Sequence, residues 1–550
     1  MFYKHIIIWL CLPFVFSTAK AQTVNGSHGE KFKRKVVARN LSDPWEITYG
    51  PDHHLWITEA KSYLVSRINP KTGEKQVALN LESERKFPRY DKIPDDVDGG
   101  KPWPQGGLMG MALHPKLLQG KPYVYLAYIH KFSGAASEGK GEEPDFKGYN
   151  FTARLVCYEY NEQTGKLSKP VVLCDTIPAS NDHNGGRLVI APVNGKDYIF
   201  YAVGDLGAGQ YKNGGRTNYA QDNKKYEGKI LRFNVEPDND LNTYDRWIPN
   251  DNPFNKEEQN AVWSIGHRNV QGIANITVGR TNFLYAAEHG PFSDDEINLI
   301  EKGKNYGHPL VIGYMDNNYN GFAAAVSDNE QLPGKWHTTY PLIKNEQQNA
   351  IELGADYRDP VKSLYPARNS FLDTIFSAVV SKRGEPERPA VAPSGMVAYT
   401  ASGIPGWNNS LLLTSLKEGK LYRLKLNKTG NTVDSDTIQY FKLPVRYRDV
   451  TYSPDGKTIY LSTDSSTVTS GPSEEDQEKS IVRGGIISYT YESGGADLDK
   501  LEQEASSATN QRQAKSLLKN LVATIQGMDG TSARKVLFSP EMRLAVNLLV

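Results

Sequence analysis

Ser453-Pro454-Asp455-Gly456-Lys457-Thr458-Ile459-Tyr460-Leu461-Ser462-Thr463-Asp464 sets a Pro-Asp-Gly corner directly before an aliphatic and aromatic run. Proline pre-sets φ for one turn position and glycine tolerates a left-handed one, so the segment reads as a turn leading into a strand. The same unit recurs at Gly50-Pro51-Asp52-His53-His54-Leu55-Trp56-Ile57-Thr58-Glu59 and at Asn194-Gly195-Lys196-Asp197-Tyr198-Ile199-Phe200-Tyr201. It appears again at Asn408-Asn409-Ser410-Leu411-Leu412-Leu413-Thr414-Ser415. Leu421-Tyr422-Arg423-Leu424-Lys425-Leu426 alternates with period 2 and stops at a polar turn, as a partner strand should. From about residue 30 to 492 this theme repeats without intervening helical patterns. It predicts an all-β domain whose length suits radial repetition in a β-propeller, with a pair of β-sandwiches as the alternative.

The texture changes near residue 493. Leu498, Leu501, Ala505, Leu517, Leu518, Leu521, Val522 and Ile525 recur at helical spacing among Lys, Gln and Glu, which predicts a C-terminal helical extension over 493–550. At the other end, Lys4 and His5 precede an apolar run of 11 residues, Ile6 to Phe16, and Ala19-Lys20-Ala21 supplies a small-x-small cleavage pattern. Residues 1–21 therefore read as a signal peptide, too short in its apolar part to span a bilayer. The expectation is an exported protein, periplasmic or secreted, with no membrane span and a propeller domain over 22–492.

Bulk composition narrows the partners. Hydrophobic residues make up 39% and charged residues 23% of the 550, a folding composition. Lys plus Arg (64) nearly cancels Asp plus Glu (63), which argues against a nucleic-acid footprint. Loss of the leader removes Cys11 and leaves Cys157 and Cys174 on either side of the Gln163-Thr164-Gly165-Lys166 turn. The two read either as a cross-strand disulfide or as two buried free thiols. No Cys-x-x-Cys-His occurs, so electrons from any redox chemistry leave to an external acceptor.

Chemistry concentrates in a few loops. Glu288-His289-Gly290-Pro291-Phe292-Ser293-Asp294-Asp295-Glu296, followed by Asn305-Tyr306-Gly307, offers hard oxygen ligands around a tight corner. It reads as a calcium nest or as a solvated acidic loop capping a helix that starts near Ile297. Asp182-His183-Asn184-Gly185-Gly186 puts a histidine beside an acid at a flexible corner, and Gly204-Asp205-Leu206-Gly207 puts an acid at a strand end. Gly266-His267-Arg268-Asn269 packs cationic and amide groups into a glycine-bounded loop. Lys417 joins Arg446 and Arg448, whose spacing places both guanidinium groups on one strand face. An imidazole base, a carboxylate to orient it and a cationic cradle for a polyanionic ligand would form a site. Taken singly, a lone His in a turn is more often structural than catalytic, and an Arg-x-Arg strand is usually a solvated face.

Together these segments resemble the soluble pyrroloquinoline quinone (PQQ)-dependent glucose dehydrogenases and their glucose/sorbosone dehydrogenase relatives. The resemblance is carried by Gln105-Gly106-Gly107-Leu108-Met109-Gly110 with His114-Pro115, Asp182-His183 with Gly186-Arg187-Leu188, and Gly204-Asp205. Gly266-His267-Arg268-Asn269, Gly290-Pro291 through Leu299, Ser415-Leu416-Lys417 and Arg446-Tyr447-Arg448-Asp449 complete it, in the family's order over about residues 40 to 490. It implies a six-bladed β-propeller that oxidises an aldose at its anomeric carbon, with hydride passing to PQQ and Ca²⁺ as Lewis acid. His183 matches the general base, Asp205 its orienting acid, and Arg268 and Asn269 the residues beside the quinone oxygens. Lys417, Arg446 and Arg448 match the carboxylate partners, and Gln105, Asp182 and Gln210 the sugar contacts. Catalytic Ca²⁺ would be held through the carbonyls of Gly290 and Pro291. A second, structural ion would take Asp295, Glu296 and Asp316 as side-chain ligands, with backbone oxygens of Tyr306, Ile312 and Tyr314. Homodimers are expected on the same ground.

The chain also departs from the pattern. Arg388-Pro389-Ala390 replaces an aromatic and a threonine of the glucose enzymes, His289 replaces an amide, and Tyr211 replaces an aliphatic residue. A different sugar or polyol is consistent with these changes. The alternative function is a non-enzymatic, calcium-stabilised propeller that binds a glycan or protein, with a calcium-dependent lactone hydrolase as a third reading.

Overall fold

The structure, a computed structural model, describes residues 22–87, 104–132, 148–210, 213–239, 245–256, 258–465, 482–495 and 504–525, with 534, 537 and 540–547 beyond. The proposed signal peptide and Tyr211 lie outside these residues. Five four-stranded antiparallel sheets and one five-stranded sheet make six blades. Each blade has one innermost strand, and these six are Pro44–Tyr49, Leu108–Leu113, Leu188–Val193, Val270–Val278, Pro393–Tyr399 and Tyr447–Tyr452. Each touches the next, and the last touches the first, so the ring is closed. The fold is a six-bladed β-propeller, and closure removes the inner sheet edges that an open sandwich would have to cover.

The sixth blade is built from both ends of the propeller. Strand Lys31–Ala38 pairs antiparallel with Gly485–Ser493, and Gln22–Asn25 adds the outer strand. Between blades the core is apolar and aromatic. In one seam Trp407, Tyr440, Phe441 and Tyr489 pack around Phe32, with Phe441 stacked on Tyr489 at 3.8 Å. Along the axis the packing is ionic instead. Arg187 Nη1 lies 2.6 Å from Glu46 Oε2 and 2.8 Å from Asp449 Oδ2, and its Nε donates to Gln271 O at 2.8 Å. One guanidinium thereby ties four of the six blades, and both its carboxyl partners are buried. Burial pushes the Glu46 carboxyl well above its usual range; Arg187 pulls it back and the Asp449 charge adds to the rise.

Two expectations fail locally. Helices Glu346–Leu353 and Asn369–Val380 lie within the stretch read as purely β. The second buries Leu372, Ile375, Phe376 and Ala378 at three- and four-residue spacing against a cluster containing Phe292, Phe322 and Trp336. Each large apolar side chain so buried contributes about 1.5–3 kcal/mol, which is reason enough for the helix. Asp295–Ile300 is a strand, and no helix starts at Ile297. The acids of that loop are buried: Asp294 is 0%, Asp295 1% and Glu296 8% exposed, so the loop is not a solvated one.

Cys157 and Cys174 are both free. The hairpin turn forms as read, with Asn161 opposite Lys166, but register shifts then place Cys157 opposite Val171 and Cys174 opposite Leu155. Beyond the last blade the chain is helical, at Gln511–Ile525 and Pro540–Asn547. Among the described residues no helix is long and apolar enough to cross a membrane.

Candidate active site

Antiparallel blades decide which loops can meet. In each blade the start of the innermost strand, the end of the second and the start of the third lie at one edge. His183 precedes the inner strand Leu188–Val193, Arg268 and Asn269 precede Val270–Val278, and Arg446 precedes Tyr447–Tyr452. Gln105 precedes Leu108–Leu113. Asp205, the Gly290-Pro291 corner and Lys417 follow the second strands of blades three, four and five. All therefore belong to one face of the propeller.

At its centre His183 and Asp205 are both buried. His183 Nδ1 lies 2.7 Å from Asp205 Oδ1. Its other nitrogen, Nε2, is 2.9 Å from Gln210 Nε2, whose amide also donates to Asp182 Oδ2 at 2.9 Å. Arg268 Nη2 donates to Gln210 Oε1 at 3.0 Å and so fixes which end of the amide faces the imidazole. The ring therefore carries its proton on Nδ1 and presents a lone pair at Nε2. Burial alone would raise the Asp205 carboxyl. The His183 imidazole and hydrogen bonds from His183 and His308 outweigh it and hold Asp205 well below the usual carboxylate range. A permanently ionised acid behind the imidazole favours the imidazolium that forms when Nε2 takes a proton.

Local backbone explains the placement. His183 sits at φ +49 in the left-handed region, as do Gly185 and Gly186 after it. Asn184 ties the loop to its surroundings: its Nδ2 donates to Ser180 O at 2.6 Å and to Gln105 O at 2.9 Å. Gln105 Oε1 accepts from Asn184 N at 3.0 Å, which brings Gln105 beside the base. At Gly204 any Cβ would collide with the His183 carbonyl oxygen, so only glycine lets the two loops approach.

Arg268 and Arg448 lie close enough to His289 to act on its charge. Arg268 Nη1 donates to His289 O at 3.2 Å, and Asn269 Oδ1 accepts from Gly185 N at 3.2 Å. Burial, then the Arg268, His183 and Arg448 charges, push His289 down to about 3, so it stays neutral, its Nε2 2.6 Å from Pro393 O. Arg446 and Arg448 share one acid, with Asp464 Oδ2 at 3.5 Å from Arg446 Nε and 2.5 Å from Arg448 Nη2. Arg448 also lies 4.5 Å over the Trp45 ring. Lys417 Nζ donates to the Arg388 carbonyl, and the Arg388 guanidinium covers Phe292 at 4.6 Å. Arg388, at the position where the sequence departs from the glucose enzymes, thus places a cation on an aromatic face.

Several contributors escaped the sequence. Glu288 accepts from Arg268 N at 2.7 Å and from Asn298 Nδ2 at 2.8 Å, and its Oε1 lies 3.0 Å from His267 Nδ1, so it braces the Arg268 loop. His308 and Tyr340 both bond Asp205 Oδ2, at 2.9 and 2.6 Å. Both lie in the long segment between strands Asp295–Ile300 and Lys362–Leu364, outside the residues singled out in the sequence.

Two groups implied by the resemblance can be tested against these residues. Arg268 Nε and Arg448 Nε are buried and have no hydrogen-bond partner among the described residues, which suits a polyanionic ligand such as PQQ. The Gly290 corner suits a hard cation held by carbonyls: a Cβ there would collide with Ser293 O, so the turn is specific to glycine. The expected second ion fits less well. Both oxygens of Asp295 accept backbone N–H groups, from Gly290 at 2.9 Å, Val391 at 2.6 Å and Ala392 at 2.9 Å. Glu296 accepts from Gly313 N and Asn298 Nδ2, both at 2.8 Å, while Asp316 is exposed. Among the described residues no three or more acidic, histidine or cysteine side chains are gathered as a metal site, so Asp295, Glu296 and Asp316 do not converge.

Comparison with known proteins identifies the family. The glucose/sorbosone dehydrogenase family matches residues 41–341 and 383–469, well over half of the chain. Quinoprotein glucose dehydrogenase B of Acinetobacter calcoaceticus is 33% identical over 504 residues, covering 87% of this chain and 93% of that protein. Aldose sugar dehydrogenase YliI of Escherichia coli (strain K12) is 28% identical over 437 residues, covering 79% and 90%. The PQQ-bound aldose sugar dehydrogenase of Streptomyces coelicolor shares the fold with a TM-score of 0.52 at 22% identity, over 84% of this chain and 99% of that one. The chain belongs to the glucose/sorbosone dehydrogenase family and is an oxidoreductase of the sugar-dehydrogenase class.

Proposed function

We propose that this protein is an exported quinoprotein that oxidises an aldose at its anomeric carbon to the lactone. The observation that carries the reading is the buried His183–Asp205 pair, with the Nε2 lone pair facing Gln210, which in turn bonds Asp182 and Arg268. A sugar hydroxyl placed at Nε2 gives up its proton to His183, and Asp205 stabilises the charge that appears on the ring. Gln105, Asp182 and Gln210 hold the neighbouring hydroxyls. Arg268 and Asn269 would lie beside the quinone, and Lys417, Arg446 and Arg448 would hold its carboxylates. When bound, PQQ supplies the hydride acceptor and Ca²⁺ on the carbonyls of Gly290 and Pro291 supplies the Lewis acid that polarises it. Electrons then leave to an external carrier.

Reconstitution tests this. Purified protein is loaded with PQQ and Ca²⁺, desalted and offered a panel of aldoses with an electron-accepting dye. Retained quinone absorbance with sugar-dependent dye reduction is the expected result. Stoichiometric failure to retain quinone, with no reduction by any aldose, would overturn it and favour a binding role.

A further inference from the structure

We infer that Tyr340 is a positioning residue for the catalytic base, holding both of the groups that address the His183 ring. The inference rests on reading His183 as that base. Asp205 receives four hydrogen bonds. His183 Nδ1 at 2.7 Å and Gly207 N at 3.0 Å reach Oδ1; Tyr340 OH at 2.6 Å and His308 Nε2 at 2.9 Å reach Oδ2. A carboxylate with both oxygens doubly occupied cannot rotate without breaking a bond. Tyr340 and Asp205 are both buried, so the broken bond would find no water. Burial, then the Asp205 charge, push the Tyr340 hydroxyl well above the usual phenol range, which keeps it a donor.

The same segment also grips the other side of the imidazole. The Tyr340 ring lies against Gly209 so closely that a Cβ there would overlap it. Thr338 Oγ1 donates to Gly209 O at 2.7 Å and accepts from Tyr340 N at 3.2 Å. Thr339 Oγ1 donates to Gly214 O at 2.8 Å. Gly209 immediately precedes Gln210, whose amide faces His183 Nε2. Residues 338–340 therefore set Asp205 behind Nδ1 and Gln210 in front of Nε2. Both ring nitrogens are indexed to one three-residue stretch of the segment between Ile300 and Lys362.

Tyr340→Phe tests the assignment, because it keeps the ring on Gly209 and removes only the hydroxyl. In PQQ- and Ca²⁺-loaded enzyme kcat should fall about tenfold, with KM for the sugar and PQQ uptake unchanged. In the 15N-histidine-labelled apoprotein the downfield Nδ1–H resonance of His183 should shift or broaden relative to wild type. Wild-type kcat with an unmoved resonance would overturn the inference, as would loss of PQQ uptake or a rise in KM matching the loss of kcat. Should wild-type protein oxidise no sugar, the reading of the site fails instead. The resonance alone then decides whether Tyr340 holds the Asp205–His183 pair.

Discussion

Gln210 Nε2 faces His183 Nε2 at 2.9 Å, so the lone pair of the base is already capped by an amide hydrogen. On the proposed reading a substrate hydroxyl takes that place, with the displaced amide beside it as a sugar contact. Gln210→Ala should lower kcat/KM about tenfold, the worth of roughly one hydrogen bond to a polar partner. Most of the change should sit in KM, with PQQ uptake intact. Steady-state kinetics over several aldoses measure it, and unchanged parameters would show that Gln210 stands outside the substrate path.

His183→Ala removes the proton acceptor while leaving the cradle of Arg268, Lys417, Arg446 and Arg448 in place. Turnover should drop by about 10²–10⁴, with quinone absorbance still retained after desalting. Single-turnover reduction of the bound quinone is the measurement. A rate within twofold of wild type would remove His183 from the chemistry.

Arg187→Met would leave Glu46 and Asp449 buried at the axis with no cation between them. Breaking such a buried pair costs about 3–5 kcal/mol. The thermal midpoint should fall by several degrees. Equal stability would mean that the guanidinium is dispensable at the axis.

Glu46 also predicts a pH effect. Its folded-state pKa is raised well above the ordinary value by burial, so the native state holds a proton that the unfolded chain releases at lower pH. The stability this contributes is complete below the unfolded pKa and is lost as pH rises through the folded one. Glu46→Gln keeps an acceptor for Arg187 and cannot ionise. Its thermal midpoint should therefore decline less than that of wild type between pH 5 and 9. Parallel curves would count against the protonated Glu46.

Gly290→Ala should weaken Ca²⁺ binding, because the added methyl meets Ser293 O and opens the corner that aims the Gly290 and Pro291 carbonyls. Chelator treatment of wild-type enzyme should abolish dye reduction, and added Ca²⁺ should restore it. In the variant restoration should need at least tenfold more Ca²⁺. Identical titrations would place the ion elsewhere.

The turn-and-strand units announced the blades because each carries its own local signal. Ser453-Pro454-Asp455-Gly456 does fold as a corner before strand Thr458–Thr463. His183, Asp205, Arg268 and the Arg446–Arg448 pair could be picked out by residue type, but spacing alone could not bring them together. Strand parity does so, since each lies on a connection, or at the start of the strand that follows it, at the same face. Cys157 and Cys174 show the opposite limit: accumulated register shifts in one hairpin defeat a midpoint argument. Asp295 shows another, since an acid that reads as a metal ligand is here occupied by three backbone N–H groups. Tyr340 and His308 were invisible because their partner lies more than a hundred residues away, on a different blade.

The pairing of Lys31–Ala38 with Gly485–Ser493 works as a buckle: the belt of blades stays open until its last strand is threaded. Arg446 and Arg448 belong to the buckled blade, whereas His183 and Arg268 lie across the ring from it. A ligand that touches all four would act as a pin through the buckle, and its capture would report that the ring has been fastened. Loosening the seam at Phe32, far from any reacting atom, should then register first as a leak of cofactor and only later as unfolding.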